Sequence, residues 1–116
     1  MSAYGPAVFV ARKDGADLSD EEQASVMRLV RDACRGLNMT GADGDPVAPS
    51  DRGYDEEEQR ALGILLHSSY GYHADLPEEV RVDQEKAWER EGARVAGWVE
   101  REAPGTYVFT AYGVED

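Results

Sequence analysis

The most unusual chemical group in this sequence is a carboxylate that falls among aromatic and apolar residues on one predicted helix face. Successive 100° steps along residues 80–98 place Glu91 in the middle of an apolar stripe, between Trp88 and Trp98. A carboxylate buried in such a stripe has a raised pKa and can act as an acid or a base. The alternative is that the helix bends at Gly92, or extends past the core, and leaves Glu91 in water, which is the commoner outcome for a glutamate.

A second group of polar side chains precedes that helix, where Tyr70, Tyr72 and His73 stand between His67 and Asp75. A histidine near a carboxylate can act as a general base or bind a ligand. The two histidines are six residues apart, which matches no metal-ligand spacing. Two tyrosines around a glycine also commonly wedge a turn against a core. The candidate ligand-binding residues are therefore Tyr70, Tyr72, His73, Trp88, Glu91 and Trp98.

The segment Asp43-Gly44-Asp45 resembles the opening of a calcium-binding loop, because alternating carboxylates can converge on a hard cation. The rest of the pattern is missing, since Val47 and Tyr54 occupy positions where such a loop needs oxygen ligands. We predict no metal and no cofactor, and we assign no catalytic residue.

Arg28, Arg31 and Arg35 form a basic stripe on the first predicted helix, opposite its apolar face. Stripes of this kind are commonly solvated or paired with acids such as Asp32. Guanidinium groups can also grip a carboxylate or a phosphate. Both interpretations remain open from the sequence.

Acidic residues dominate the composition, with 24 Asp and Glu against 12 Lys and Arg and a net charge of −12. Such a chain is a poor direct ligand for nucleic acid or for an anionic membrane surface. Many of the acids fall in predicted first helical turns, where the helix dipole stabilises a carboxylate. These first-turn acids are Asp20, Glu21, Glu22, the four residues from Asp55 to Glu58, Glu78 and Glu79.

The 17-residue connection 37–53 is rich in glycine and proline and shows no periodicity. Loops longer than about 12–15 residues are uncommon unless they are functional or disordered. We therefore predict a lid or a contact loop that leads into the next acidic cluster. The candidate partner-binding residues are Asp43, Asp45, Asp51, Asp55, Glu56 and Glu57.

The first and last predicted elements are strands, because residues 7–13 and 106–112 are rich in β-branched and aromatic side chains. Ser19 and Glu22 have the spacing of a capping box and predict a helix over 20–35. Its apolar residues recur at intervals of three and four.

Two further helices are predicted between the first helix and the last strand. Asp55 and Glu58 repeat the capping spacing, and the apolar residues of 61–66 then predict a helix up to about Ser69. Pro77 followed by two glutamates predicts the start of a helix that runs to about Glu102, with a bend or break near Gly92.

These elements predict an α+β fold in which about three helices pack on a small sheet that pairs the N-terminal and C-terminal strands. A third strand is expected within 46–54 or 70–74, because two strands make a poor sheet. The length fits a single domain over residues 1–116. No apolar run is long enough to cross a membrane, no secretory signal is recognised, and Cys34 stands alone, so we expect a cytoplasmic protein.

Our leading hypothesis is a small protein-binding module, in the manner of an adaptor, an inhibitor or an immunity-like protein, that contacts a basic partner. The alternative is a small-ligand-binding or catalytic domain that uses Glu91, Trp88, Trp98 and the Tyr70–His73 segment. A homodimer formed through an exposed part of the long helix is a third possibility. Neither direct nucleic-acid binding nor membrane binding is expected.

Overall fold

The computed structural model describes residues 4–41, 44–55, 61–67 and 76–115, which contain four strands and two helices. In chain order they are β1 (Tyr4–Arg12), α1 (Asp20–Gly36), β2 (Ser50–Asp55), β3 (Ala61–Leu65), α2 (Glu78–Glu102) and β4 (Tyr107–Glu115). The α+β class predicted from the sequence is confirmed. Within the described part of the chain there are two helices instead of about three.

The strands form one antiparallel sheet in the order β2-β3-β1-β4. β1 pairs with β4 along its whole length, from Tyr4 opposite Glu115 to Arg12 opposite Tyr107, which confirms the predicted pairing of the terminal strands. β2 supplies the third strand expected within 46–54. This element order and strand order are those of the split β-α-β, or ferredoxin-like, arrangement.

Both helices contribute to the core on one face of the sheet. On that face Val8 lies opposite Ile64 of β3 and Ala111 of β4, while Val10 lies opposite Leu62. α2 packs on β1 and β4 and also contacts α1. The fully buried aliphatic side chains of this core are Val8, Val10, Val26, Val30, Leu62, Ile64, Leu66, Val95 and Val99.

α1 begins where the sequence predicts. Ser19 accepts a hydrogen bond from the Glu22 backbone N–H at 3.1 Å, and Glu22 accepts one from the Ser19 backbone N–H at 3.1 Å. This reciprocal capping box satisfies two of the donors that a helix start leaves unpaired. The observed span agrees with the predicted 20–35 to within one residue.

The predicted helix over 55–69 is wrong, because its apolar residues form strand β3. All five residues of Ala61–Leu65 are buried, and successive side chains of a strand point to opposite faces, so β3 is covered on both sides. A continuous apolar run fits such an interior strand as well as it fits a buried helix. Asp55 ends β2 instead of capping a helix, and Glu58 lies outside the described residues.

α2 continues through Gly92 without the predicted break. Gly92 is instead the point where the helix backbone comes closest to the sheet. A Cβ at this position would lie 3.0 Å from the Ala7 carbonyl oxygen and 2.9 Å from Ala111 Cβ. The glycine is required by this contact between the helix and the sheet, which is a packing role.

The N-terminal part of α2 extends beyond the core. Its buried residues begin at Trp88, and none of residues 78–87 is fully buried. This segment corresponds to about 15 Å of helix at 1.5 Å per residue. No helix in the described ranges has both the length and the apolarity needed to cross a membrane.

Replacing Gly92 by alanine should destabilise the protein by ~1–3 kcal/mol, because the added methyl group overpacks the contact with Ala7 and Ala111. The matched variant is G97A, whose Cβ would meet nothing closer than an Arg101 nitrogen at 3.6 Å. G97A should stabilise by ~0.5–1 kcal/mol through helix propensity. Urea unfolding measures both values, and equal stabilities of the two variants would contradict this account of Gly92.

Candidate functional site

Glu91, the carboxylate of the apolar stripe, contacts a histidine from a different part of the chain. Its Oε2 atom lies 3.0 Å from Nε2 of His67, which follows the end of β3. The His67 side chain is 13% exposed and that of Glu91 is 37% exposed. Gly5 allows this arrangement, since a Cβ there would lie 2.0 Å from the His67 carbonyl oxygen. Glu91 is therefore neither sealed in the core nor fully in water.

The His67–Glu91 contact orients the imidazole ring. In the tautomer that donates its Nε2 proton to the Glu91 carboxylate, Nδ1 carries a lone pair and is an acceptor. The Nδ1 atom is buried and has no hydrogen-bond partner among the described residues. An oriented imidazole with a vacant acceptor can bind a donor group or take up a proton.

The two tryptophans of the stripe have separate roles. Trp88 is buried one helical turn before Glu91. Trp98 instead packs on α1, where its ring carbons would lie 2.5–2.6 Å from a Cβ at Gly36. The two tryptophans are ten positions apart, which corresponds to about 15 Å along the helix. The structure thus brings Glu91 next to His67 and near Trp88 but places Trp98 at a different contact, while Tyr70, Tyr72 and His73 lie outside the described residues.

The first acidic cluster is engaged in contacts within the protein. Arg12 donates to both oxygens of Asp14, at 3.0 and 2.8 Å, and also to Glu22. The hydrogen bond from Arg12 lowers the pKa of Asp14 well below its ordinary value. The Ser19 backbone N–H, followed by Arg12, lowers the pKa of Glu22. These acids stabilise the junction between β1 and α1.

The predicted partner-binding acids are only partly placed by the structure. Asp45 and Asp51 are exposed, and each makes polar contacts of its own. Asp55 is the last residue of β2, which lies at one end of the sheet. Asp43, Glu56 and Glu57 lie outside the described residues.

A different acidic surface was missed in the sequence. Leu76, Val80 and Val82 are 37%, 47% and 39% exposed at the start of α2. Glu78 and Glu79 stand between Leu76 and Val80, and Arg81 stands between Val80 and Val82. Glu78, Glu79, Val82 and Asp83 line a shallow depression. We call this surface, formed by Leu76, Glu78, Glu79, Val80, Val82 and Asp83, the acidic helix end.

One feature of the sequence does indicate the acidic helix end. The helix predicted from Pro77 to about Glu102 is longer than the core of so small a domain can cover, so part of it has to be exposed. In the sequence, Glu78 and Glu79 fit dipole-stabilising residues of the first turn, and Val80 is the first residue of the apolar stripe predicted along residues 80–98. The part of the stripe from Trp88 onward does pack in the core. None of residues 78–87, which precede Trp88 on the helix, is fully buried.

A metal centre finds no support in the described ranges, where no three His, Cys, Asp or Glu side chains cluster closely enough to hold an ion. No family model, no curated protein and no solved structure matches this chain. Proteins with the split β-α-β connectivity have many unrelated activities, so the fold by itself does not indicate the function of this chain.

The Arg12 contacts predict a specific pH dependence of stability. A carboxyl group with a lower pKa in the folded chain stabilises it above the unfolded pKa, and this stabilisation is lost as the pH falls through the folded pKa. The ordinary values for Asp14 and Glu22 are 3.8 and 4.5, so the loss begins near pH 4.5 and continues downward.

In R12Q the fall in unfolding free energy between about pH 5 and about pH 2 should be smaller than in the wild type. Part of the fall should remain, because the Ser19 N–H still lowers the pKa of Glu22. Urea unfolding at several pH values measures this slope. R94Q, which removes an exposed arginine of α2, should leave the slope unchanged. An unchanged slope in R12Q would contradict the assignment.

Proposed function

We propose that this chain is a protein-binding module that docks a basic protein through the acidic helix end. One observation carries the proposal. Val80 and Val82 are exposed on a helix segment that extends past the core, and Leu76 is exposed just before that helix begins. At about 100° per residue, Glu79 and Asp83 lie between the two valines around the helix. Exposed apolar side chains in a group, rimmed by polar residues, are typical of protein interaction sites.

The acidic helix end combines exposed aliphatic side chains with carboxylates, the two kinds of group that a docking surface for a basic protein needs. On a helix, residues three and four apart are neighbours, so Val82 lies beside Glu78 and Glu79, and Val80 lies beside Asp83. Among the described residues, three of the four exposed large apolar side chains are in this segment, and the fourth is Val108 on β4. Burial of the aliphatic groups supplies affinity, while the carboxylates select the partner.

The local charge supports a basic partner. Residues 78–85 contain the acids Glu78, Glu79, Asp83 and Glu85 and one base, Arg81. Arg81 is half-buried and its Nε atom is buried, so the surface mainly presents carboxylates. Long-range attraction between such a surface and a cationic protein raises association rates by 10- to 1000-fold. A second copy of this chain would instead meet the same negative charge, which disfavours a homodimer through this surface.

Removing three carboxylates from the acidic helix end in E78Q/E79Q/D83N should weaken partner binding by about tenfold or more, which is about 1.4 kcal/mol. The control E89Q/E100Q/E102Q removes three exposed carboxylates from the rest of α2 and should change the affinity by less than about twofold. The partner is first captured from a host lysate at low salt and identified, and binding constants are then measured with the purified protein. Circular dichroism checks that both variants keep their helix.

The captured protein should be basic, and ~1 M salt should release it, because the Debye length then falls to about 3 Å. V80Q/V82Q should weaken binding without changing the salt dependence, whereas V108Q should have no effect. Recovery of no basic protein, or equal effects of the two triple variants, would rule out this surface. Concentration-dependent sedimentation of the wild type alone would point to self-association instead.

A second function, the binding or conversion of a small ligand beside His67, is supported by the buried Nδ1 atom that has no described partner. Glu91 would hold the imidazole ring, and Trp88 would supply an apolar wall. This site keeps Glu91 and Trp88 from the alternative expected from the sequence and adds His67. Trp98 lies at a different contact, and the Tyr70–His73 segment lies outside the described residues.

Thermal-shift screening against a metabolite library tests the second function. A true ligand raises the melting temperature of the wild type, and H67Q and E91Q should abolish that shift. E89Q, which changes an exposed carboxylate two residues away, should retain it. The absence of any stabilising compound would count against a ligand at His67.

A further inference from the structure

A cavity of about 470 Å³ opens between the C-terminal part of α1 and the segment that follows it. Its volume falls in the range of about 300–1,000 Å³ that is typical of small-molecule sites. Arg31, Cys34 and Arg35 of α1 line it, together with residues 38–40 and 46–49 of the following segment. This cavity involves neither the acidic helix end nor His67.

The cavity has an apolar floor and a cationic rim. Cys34 and Met39 are 3% and 7% exposed, and Pro49 is also buried. Burial raises the pKa of the Cys34 thiol to about 11, so the sulfur is a neutral part of the floor at physiological pH. Arg31 and Arg35 are exposed at the rim.

The two rim arginines are available to a ligand. They are four residues apart on one helix, so their Cβ atoms are about 5–6 Å apart and both guanidinium groups can reach one head group. Arg31 makes no ion pair with any described residue. Arg35 has one with Asp32 at 3.9 Å, and both of these side chains are more than half exposed. A pair this long and this exposed is weak and exchanges readily for another anion.

The wall opposite α1 is held in place by backbone hydrogen bonds. Asn38 adopts a left-handed conformation with φ 53° and ends α1, while the Met39 N–H returns to the Cys34 carbonyl at 3.0 Å. This is a Schellman ending, which turns the chain back along the helix. The Val47 N–H donates to the Met39 carbonyl at 3.1 Å, which brings residues 46–49 across from α1. The cavity is therefore formed before any ligand binds.

We propose that this cavity binds a small organic anion, with its carboxylate or phosphate on Arg31 and Arg35 and its apolar body on the floor around Cys34 and Met39. Arginine suits this role because its planar fork matches both kinds of head group. Asn38 and Thr40 add polar groups at the rim that can orient the head group. The cavity is much larger than a head group alone, so the apolar body contributes to binding.

Nuclear magnetic resonance titration tests the proposal with four probes: 2-naphthyl phosphate, 2-naphthoate, the neutral 2-naphthalenemethanol and inorganic phosphate. The two organic anions should shift amide signals of residues 34–40 and of Val47 and Ala48. The neutral probe should bind at least about tenfold more weakly than the better anion, and inorganic phosphate should also bind more weakly because it has no apolar body. The ratio of the dissociation constants of 2-naphthyl phosphate and 2-naphthoate identifies the preferred head group.

Two pairs of variants separate charge from shape. R31Q/R35Q should weaken binding of the better anion by about tenfold or more, whereas R90Q/R94Q makes the same charge change on exposed positions of α2 and should alter it by less than about twofold. A48W should fill the cavity and block both organic anions, while A93W, at an exposed position of α2, should not.

The wild-type spectra alone can overturn the proposal. Equal binding of the neutral probe and the anions, or shifts outside the lining residues, would mean that no anion site exists here. Equal loss in R31Q/R35Q and R90Q/R94Q would show a general effect of net charge. Dispersed amide spectra of each variant verify that a loss of binding does not arise from unfolding.

Discussion

The close contact between α2 and the sheet at Gly92 sets the position of most other features of this fold. At Gly92 no side chain separates the helix backbone from Ala7 and Ala111. The second half of α2 therefore lies close to the sheet, and Val95 and Val99 are buried in the core. The same contact places Glu91 beside His67. It also leaves residues 78–87 beyond the edge of the core, since the helix is longer than the sheet surface that it covers.

The net charge of −12 is divided between two uses. Asp14 and Glu22 are held by Arg12 and by the capping box, so they act within the fold. The carboxylates of the acidic helix end have exposed aliphatic neighbours, and their one basic companion is half-buried. Acids of the second kind are available for recognition, which is why position, and not the total charge, supports a binding role.

Opposite charges mark the two surfaces for which we propose ligands. The acidic helix end presents carboxylates around a shallow depression on an exposed helix segment and suits a protein surface. The cavity beside α1 presents two arginines over an apolar floor and suits a small anion. Their separation along the chain allows each to be altered without the other, because one is formed by α2 and the other by α1 and the segment that follows it.

Local sequence determined α1, with its Ser19–Glu22 cap, and both terminal strands, because capping and β-propensity act between residues close in the chain. It could not assign 61–66, since a continuous apolar run fits a strand or a helix until its neighbours β1 and β2 are known. Only the tertiary structure decided that Gly92 is where α2 contacts the sheet, and not where the helix breaks. Long-range packing alone also brought Glu91 to His67, 24 residues away, because such a contact depends on how the sheet and helices stack.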